Sequence, residues 1–169
     1  LSGGLSKPRL ACTEALFEIS FPLAVQQCEW QIENAAMNHL MQVAEAQAEV
    51  AFIESGVDPM VKDREGFLQR VARRIEQKRV FVVMDGDKLF FKADIIAETD
   101  DVIYLEGVYV APDYRCRGVG PKCLSSLSLD LLSRVEHICL LSNIEFEEAH
   151  KAFQKAGFRI ADQCTTLFA

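Results

Sequence analysis

The sequence has little of what marks several classes of protein. No apolar run reaches the ~20 residues that a membrane-spanning helix needs, and we identify no signal peptide in the first residues. No basic face dominates the chain, whose formal net charge is −7. This charge argues against a nucleic-acid-binding protein and suits a positively charged small molecule better. We therefore expect one domain that binds neither a nucleic acid nor a membrane.

The cysteines lack the spacings of a metal site. None of the six forms a Cys-x-x-Cys pair, and none stands at a suitable distance from a histidine. We therefore expect no metal and a reducing, cytoplasmic compartment. Cys116 differs from the others because it stands between two arginines, a setting that favours a reactive thiol. We interpret it as a modifiable thiol, with a catalytic role as the weaker alternative.

The most informative stretch is VYVAPDYRCRGVG, which runs from Val108 to Gly120. A strand leads through a Pro-Asp turn into a basic loop, and a helix-length segment follows from Lys122 to about Val135. Because Gly118 and Gly120 have no Cβ, backbone N–H groups can approach a ligand closely there. A helix N-terminus adds unpaired N–H groups and the positive end of a dipole. The stretch predicts an anion site suited to a diphosphate, with an ordinary tight turn as the alternative.

Apolar periodicity outlines the rest of the chain. We predict amphipathic helices over residues 35–55 and 63–78, with Asp63 as the N-cap of the second. A hairpin is predicted over residues 80–97, because Asp85-Gly86 between two β-branched and aromatic runs is a strong turn signal. A third strand over residues 101–110 returns alongside it and delivers the chain to the loop.

The pattern Val-x-Pro-x-x-Arg-x-x-Gly-x-Gly, at residues 110–120, resembles the acetyl-coenzyme A pyrophosphate loop of the GNAT superfamily of acyltransferases. The family expects a hydrophobic strand next and then a short helix that ends at Gly-Phe. The chain supplies these at 138–142, 147–156 and 157–158. The resemblance implies an α+β fold, the GNAT fold, with helices flanking a central mixed, mostly antiparallel sheet that splays between its fourth and fifth strands. It covers about residues 80–160 and reaches more weakly back to about residue 29.

The resemblance also implies acetyl-coenzyme A as the acyl donor. The backbone of residues 108–110 would hydrogen-bond the pantetheine arm, and the basic loop would hold the diphosphate. Other contacts would come from residues after the fifth strand. The expected cofactor-binding residues are Val108, Tyr109, Val110, Arg115, Cys116, Arg117, Gly118, Val119, Gly120, Lys122, Asn143, Phe146 and Phe153.

Strand alternation suggests the catalytic residues. It places Tyr104, Glu106, Val108 and Val110 on one face, just upstream of the cofactor-binding backbone. Acyl transfer to an amine needs a group or a water that accepts the amine proton. We expect Glu106 to be this base, with Tyr104 beside it, and a structural ion pair as the alternative role of Glu106.

The chain departs from the family at two positions of the closing helix. Phe146 and Phe153 stand where many members carry an asparagine and a tyrosine, and neither phenylalanine can donate a proton to the leaving thiolate. Asn143 could replace part of the lost bonding, and His150 is a candidate acid.

The resemblance implies an N-acetyltransferase that acts on a primary amine of a small molecule or amino-acid-like acceptor. Glu49 or Glu54 would attract a cationic amine. The alternative is an acyl-coenzyme A-binding sensor or scaffold with weak or no catalysis.

Residues 1–28 are interpreted as an N-terminal extension or linker. Residues 1–4 resemble a flexible lead, and residues 16–21 alternate as a strand that Pro22 stops. The GNAT domain is expected over residues 29–169, with 29–33 as its first strand. Some bacterial proteins pair a divergent half with a C-terminal GNAT half, and this chain resembles such a second half. An upstream domain or a second copy of the chain is therefore an expected partner.

Overall fold

The structure, a computed structural model, describes residues 10–168 apart from Pro22 and Val25. The flexible lead expected at residues 1–4 and the strand stop expected at Pro22 lie outside these residues. The elements in chain order are β1 (Leu10–Ile19), β2 (Glu33–Asn34), α1 (Leu40–Ser55), α2 (Pro59–Lys62), α3 (Arg64–Glu76), β3 (Val80–Asp85), β4 (Lys88–Glu98), β5 (Val102–Val110), α4 (Val119–Leu131), β6 (His137–Asn143), α5 (Glu147–Ala156) and β7 (Arg159–Phe168).

The strands form one seven-stranded sheet in the order β2-β3-β4-β5-β6-β1-β7. Only β5 and β6 pair in parallel, and every other described pair is antiparallel. The predicted mixed, mostly antiparallel sheet is therefore confirmed. The predicted hairpin is also confirmed, since β3 and β4 meet at a turn in which Gly86 has a φ of +59°.

Strand β1 lies inside the sheet, between β6 and β7. Its alternate residues Ala15, Phe17 and Ile19 are buried and join the main core. The segment that we assigned to an N-terminal extension thus supplies a strand with neighbours on both sides. The strand that we expected over residues 29–33 is limited to β2, at the edge beside β3.

Helices cover both faces of the sheet. On one face α4 and α5 pack on a cluster that includes Leu105 and Leu140, and on the other α1 and α3 pack on a cluster that includes Val82. Asp63 caps α3 as predicted, because its carboxylate accepts a hydrogen bond of 3.1 Å from the N–H of Gly66. No helix in the described part of the chain is long and apolar enough to cross a membrane.

The sheet opens between β5 and β6. Backbone pairing joins residues 102–105 to residues 137–140, and beyond Leu105 and Leu140 no further pair joins these strands within the described chain. Counted from β2, these are the fourth and fifth strands, where the splay was predicted. The divergence leaves a gap that runs toward the end of β5 and the loop that follows it.

Candidate functional site

The gap is a cleft of about 340 Å³. The second half of β5 forms one wall, and the ends of β6 and α5 form the other. Residues of β1 and of the last turns of α1 close its remaining side. Its size and its largely apolar lining suit an extended small molecule.

The loop after β5 exposes a run of backbone donors. Cys116 and Gly118 have positive φ values of +61° and +76°, and Gly118 is the N-cap of α4. In the described structure the N–H groups from Cys116 to Gly120 have no hydrogen-bond acceptor, and the Lys122 N–H already bonds the Gly118 carbonyl. Pro121 has no N–H to contribute. Free N–H groups at a helix N-terminus form an anion site, and a diphosphate fits this geometry.

Gly120 allows α4 to lie close to β5. A Cβ at this position would be 3.2 Å from Cγ2 of Val110, so a larger residue would push the helix start away from the strand. The loop and the cleft are therefore joined at this contact. Val110 and Arg115 line the cleft, whereas residues 116–120 and Lys122 are not among its lining residues and lie beyond its end.

Two of the three basic side chains around the loop already have partners. The Nε of Arg115 donates to the carbonyl of Val110 at 2.8 Å, and its Nη2 lies 2.8 Å from Oε1 of Glu49 on α1. Lys122 lies 3.3 Å from both carboxylate oxygens of Glu29. Arg117 is exposed and has no side-chain partner among the described residues. Arg115 and Lys122 are therefore engaged by carboxylates, and Arg117 is available to an anion at the loop.

Three acidic residues from different elements lie along the cleft: Glu14 on β1, Glu54 on α1 and Glu106 on β5. Glu54 is exposed as a residue, yet partial desolvation of its carboxyl group raises its pKa, and the charges of Glu106 and Glu14 raise it further. The neighbouring carboxylates therefore repel one another. This end of the cleft is suited to a cation.

Tyr104 lies beside this group on β5 and is half-buried. Burial raises its pKa to about 12, and the charges of Glu106 and Glu14 contribute to the rise. Its hydroxyl therefore stays protonated at neutral pH. Tyr104 can donate a hydrogen bond but cannot act as a base there.

A β-bulge changes the alternation expected along β5. Asp94 is opposite Glu106 and Lys92 is opposite Tyr109, so Gly107 and Val108 together face one residue of β4. Opposed residues share a face, and Tyr109 therefore points to α1, where its hydroxyl donates to Oε2 of Glu49 at 2.9 Å. Val108 packs on the core beneath α4 instead. The expectation that Glu106 and Val108 share a face is wrong for this reason.

The cofactor-binding residues expected at the end of β6 and beyond it also line the cleft. Phe146 and Phe153 both reach it, and Phe153 packs edge-to-face against Phe17 with ring centroids 5.3 Å apart. Asn143 lies at its end, where its Oδ1 accepts from the Glu145 N–H at 2.9 Å. The carbonyl side of Asn143 is therefore engaged by the turn that leads to α5.

The candidate acid His150 lies behind the cleft wall. Its Nε2 is 3.2 Å from Oγ of Ser142, and Ser142 lines the cleft. Sequence reasoning missed Ser142 as well as Glu14. Glu14 was missed because its strand was assigned outside the domain, although the alternation of buried residues along β1 was a usable signal.

The family model for the acetyltransferase (GNAT) domain matches residues 76–160, just over half of the chain. The match spans β3 to α5 and so includes the bulge, the loop and both walls of the cleft. No curated protein matches the chain significantly.

Solved structures of similar fold cover nearly all of the chain. A GNAT-family acetyltransferase from Colwellia psychrerythraea is 18% identical, with a TM-score of 0.72, and the match covers 95% of this chain and 57% of that one. A GNAT-family protein from Novosphingobium aromaticivorans is 14% identical, with a TM-score of 0.68, 95% of this chain covered and 65% of that one. The chain thus spans less than two-thirds of the length of either protein.

A third solved structure matches over most of its own length. It is a predicted acetyltransferase from Clostridium acetobutylicum, solved with acetyl-coenzyme A, and it is 15% identical, with a TM-score of 0.60. The match covers 78% of this chain and 91% of that one. These likenesses show the fold. Together with the family match, they establish that the chain belongs to the GNAT acetyltransferase family.

Proposed function

We propose that the chain is an acetyl-coenzyme A-dependent N-acetyltransferase that acts on a primary amine of a small molecule or an amino-acid-like compound. The observation that carries the proposal is the position of the unpaired N–H groups of residues 116–120. They come after a short turn, residues 111–115, that follows β5, the strand that borders the cleft. One continuous stretch of chain therefore offers both a site for a diphosphate and a groove for the arm attached to it.

The chain's residues divide the binding between them. The loop from Cys116 to Gly120 would hold the diphosphate through its backbone, and the backbone of Val108 and Val110 would hold the pantetheine arm. The bound donor supplies an acetyl group activated as a thioester. The chain itself binds, orients the two reactants and accepts a proton.

The acidic end of the cleft supports a cationic acceptor. Glu14, Glu54 and Glu106 lie there, and the raised pKa of Glu54 reflects its partial desolvation and the charges of its neighbours. A protonated amine between them would relieve this repulsion. The chain's overall charge of −7 also attracts a cation.

Glu106 is our candidate for the base. A protonated amine must lose a proton to become a nucleophile, and a carboxylate within hydrogen-bond reach, or one water away, can accept it. Glu106 lines the cleft at the bulge and is exposed to it. Tyr104 is not among the residues that line the cleft and keeps its proton at neutral pH, so it is not a second base.

A second function has one observation in its favour. Phe146 and Phe153 leave the wall nearest α5 without a proton donor, and Phe153 belongs to the main core. A chain that binds acyl-coenzyme A as a sensor or scaffold would need no such donor. Turnover separates the two functions.

A thiol-release assay with acetyl-coenzyme A tests the proposal against a panel of monoamines, polyamines and amino acids. We expect release with one class of amine, and we expect Glu106→Gln to lower kcat by roughly 100- to 10,000-fold. Glu33→Gln is the matched control, because Glu33 is exposed on β2 and outside the cleft. Tight binding without release for any amine would instead favour the sensor. A normal kcat for Glu106→Gln would remove Glu106 from the mechanism.

A further inference from the structure

A lysine lies fully buried near the middle of the sheet. Lys92, on β4, has no exposed surface, and Asp94, two residues along on the same face, is 2% exposed. A buried charge is costly unless opposite charges and hydrogen bonds compensate for it. The contacts of the Lys92 ammonium group therefore indicate which parts of the structure it stabilises.

The Nζ of Lys92 meets acceptors from three elements. It donates to Oε1 of Gln47 on α1 at 2.8 Å and to the backbone carbonyl of Gly107 on β5 at 3.2 Å. It also lies 2.8 Å from Oδ1 of Asp94, an ion-pair contact without hydrogen-bond alignment. The other oxygen of Asp94 accepts from Nη1 of Arg74 on α3 at 3.3 Å. Lys92 thus joins β4 and β5 to α1, and its partner Asp94 extends the contact to α3.

Gly107 is the bulged residue of β5. Its φ is +61°, and a Cβ there would lie 2.8 Å from Oε1 of Gln47 and 2.9 Å from Nζ of Lys92. Only glycine both adopts this backbone conformation easily and lets the buried side chains close on the backbone. The bulge and the buried cation therefore depend on each other.

The bulge lies within the proposed site. Glu106, Gly107 and Val108 are consecutive, and all three line the cleft. The bulge sets Glu106 on the face of α1 and turns Val108 to the opposite face. A change in the direction of the Gly107 carbonyl would move the residues on both sides of it.

We propose that Lys92 is a positioning residue for acetyl transfer: by holding the Gly107 carbonyl it fixes the bulge that aims Glu106 and the Val108 backbone into the cleft. This inference rests on the proposed function. A well-packed apolar pair of similar volume could replace Lys92 and Asp94 with little loss of stability. It could not donate to the carbonyl of Gly107.

Three variants separate positioning from simple structural support. Lys92→Met leaves Asp94 buried without its cation and is expected to lower the unfolding temperature. The double variant Lys92→Met/Asp94→Leu removes both charges and should regain much of that stability, since Arg74 is partly exposed and can be hydrated. Ile75→Ala, in the core beneath α3, is the control for a loss of stability away from the bulge.

The double variant carries the test. We expect its kcat to fall roughly 10- to 100-fold. Its acetyl-coenzyme A Kd should rise less than kcat falls, because the loop is intact and only the contact with the Val108 backbone is disturbed. Ile75→Ala should keep the wild-type kcat below its unfolding temperature. Amide hydrogen exchange of Gly107 and Val108 should be faster in the double variant than in Ile75→Ala.

Two results would overturn the inference. One is recovery of kcat together with stability in the double variant, which would make the role of Lys92 purely structural. The other is unchanged exchange of Gly107 and Val108. The exchange measurement needs no turnover, so it tests Lys92 even if wild type acetylates no amine and the proposed function fails.

Discussion

Two glycines of this chain have nearly the same backbone conformation but different expected roles. Gly118, before α4, has φ +76° and ψ 8°, and Gly56, after α1, has φ +72° and ψ 7°. A Cβ at Gly56 would meet no atom within 4 Å, and one at Gly118 would meet only Cε of Lys122 at 4.0 Å. Replacing either by valine therefore imposes a similar backbone strain, and the added Cβ itself meets no close atom at either position. Gly56→Val is the matched control for Gly118→Val.

The size of the effect follows from the left-handed conformation. A residue with a Cβ pays roughly 1–2 kcal/mol there, and both variants should lose about this much stability. At Gly118 the strain is relieved when the loop turns its N–H groups away from the anion site. Each hydrogen bond lost to a charged group costs about 1.5–3 kcal/mol. The acetyl-coenzyme A Kd should then rise roughly 10- to 1,000-fold for Gly118→Val and stay near the wild-type value for Gly56→Val.

Calorimetric titration with acetyl-coenzyme A gives the two Kd values, and thermal unfolding of the same samples gives the two stabilities. Equal losses of stability with unequal losses of affinity would assign the diphosphate to this loop. Wild-type affinity in Gly118→Val would refute the reasoning, because the strained residue would then not control the binding conformation.

Two other predictions concern side chains around the cleft. Glu49 holds Arg115 at 2.8 Å and would compete with the diphosphate for its guanidinium. Arg115→Ala should therefore weaken acetyl-coenzyme A binding by about 1 kcal/mol, whereas Glu49→Gln should tighten it by freeing the cation. Calorimetry that shows a change of the same sign for both variants would contradict this competition. The folded pKa of Glu54 is raised, so its contribution to stability is fully present below the unfolded pKa and is lost as the pH rises through the folded one. We therefore expect Glu54→Gln to gain in unfolding temperature relative to wild type as the pH rises from about 4 to 7. A difference that stays flat or decreases would contradict the raised pKa of the Glu54 carboxyl group.

The features that sequence predicted well depend on local signals. The hairpin at Gly86 and the N-cap at Asp63 are fixed by a few adjacent residues, and the structure has both. The position of β1 in the sheet depends instead on residues far apart in the sequence. Alternation marks it as a strand, but its neighbours β6 and β7 come from the far end of the chain. No local pattern states which strands will pair, so the segment was assigned outside the domain.

The site was only partly predictable for the same reason. The loop was predicted because its glycines and the following helix are consecutive in the chain. The pairing of Arg115 with Glu49 joins residues far apart in the sequence and changes which cation is free. The bulge did leave a signal, since a glycine within a strand pattern suggests one. Lys92 and Asp94 stand two residues apart within an apolar strand, a spacing that puts both charges on one buried face. Periodicity alone did not show what this buried pair contacts.

Backbone NMR of the ¹⁵N-labelled chain titrated with acetyl-coenzyme A tests the central claim most directly. The account predicts that the largest amide shifts fall on residues 116–120 of the loop and on Val108 and Val110 along the cleft. Such a pattern would place the diphosphate on the start of α4 and the arm beside β5. Saturable binding whose shifts avoid both segments would contradict the account, as would the absence of any shift at millimolar ligand.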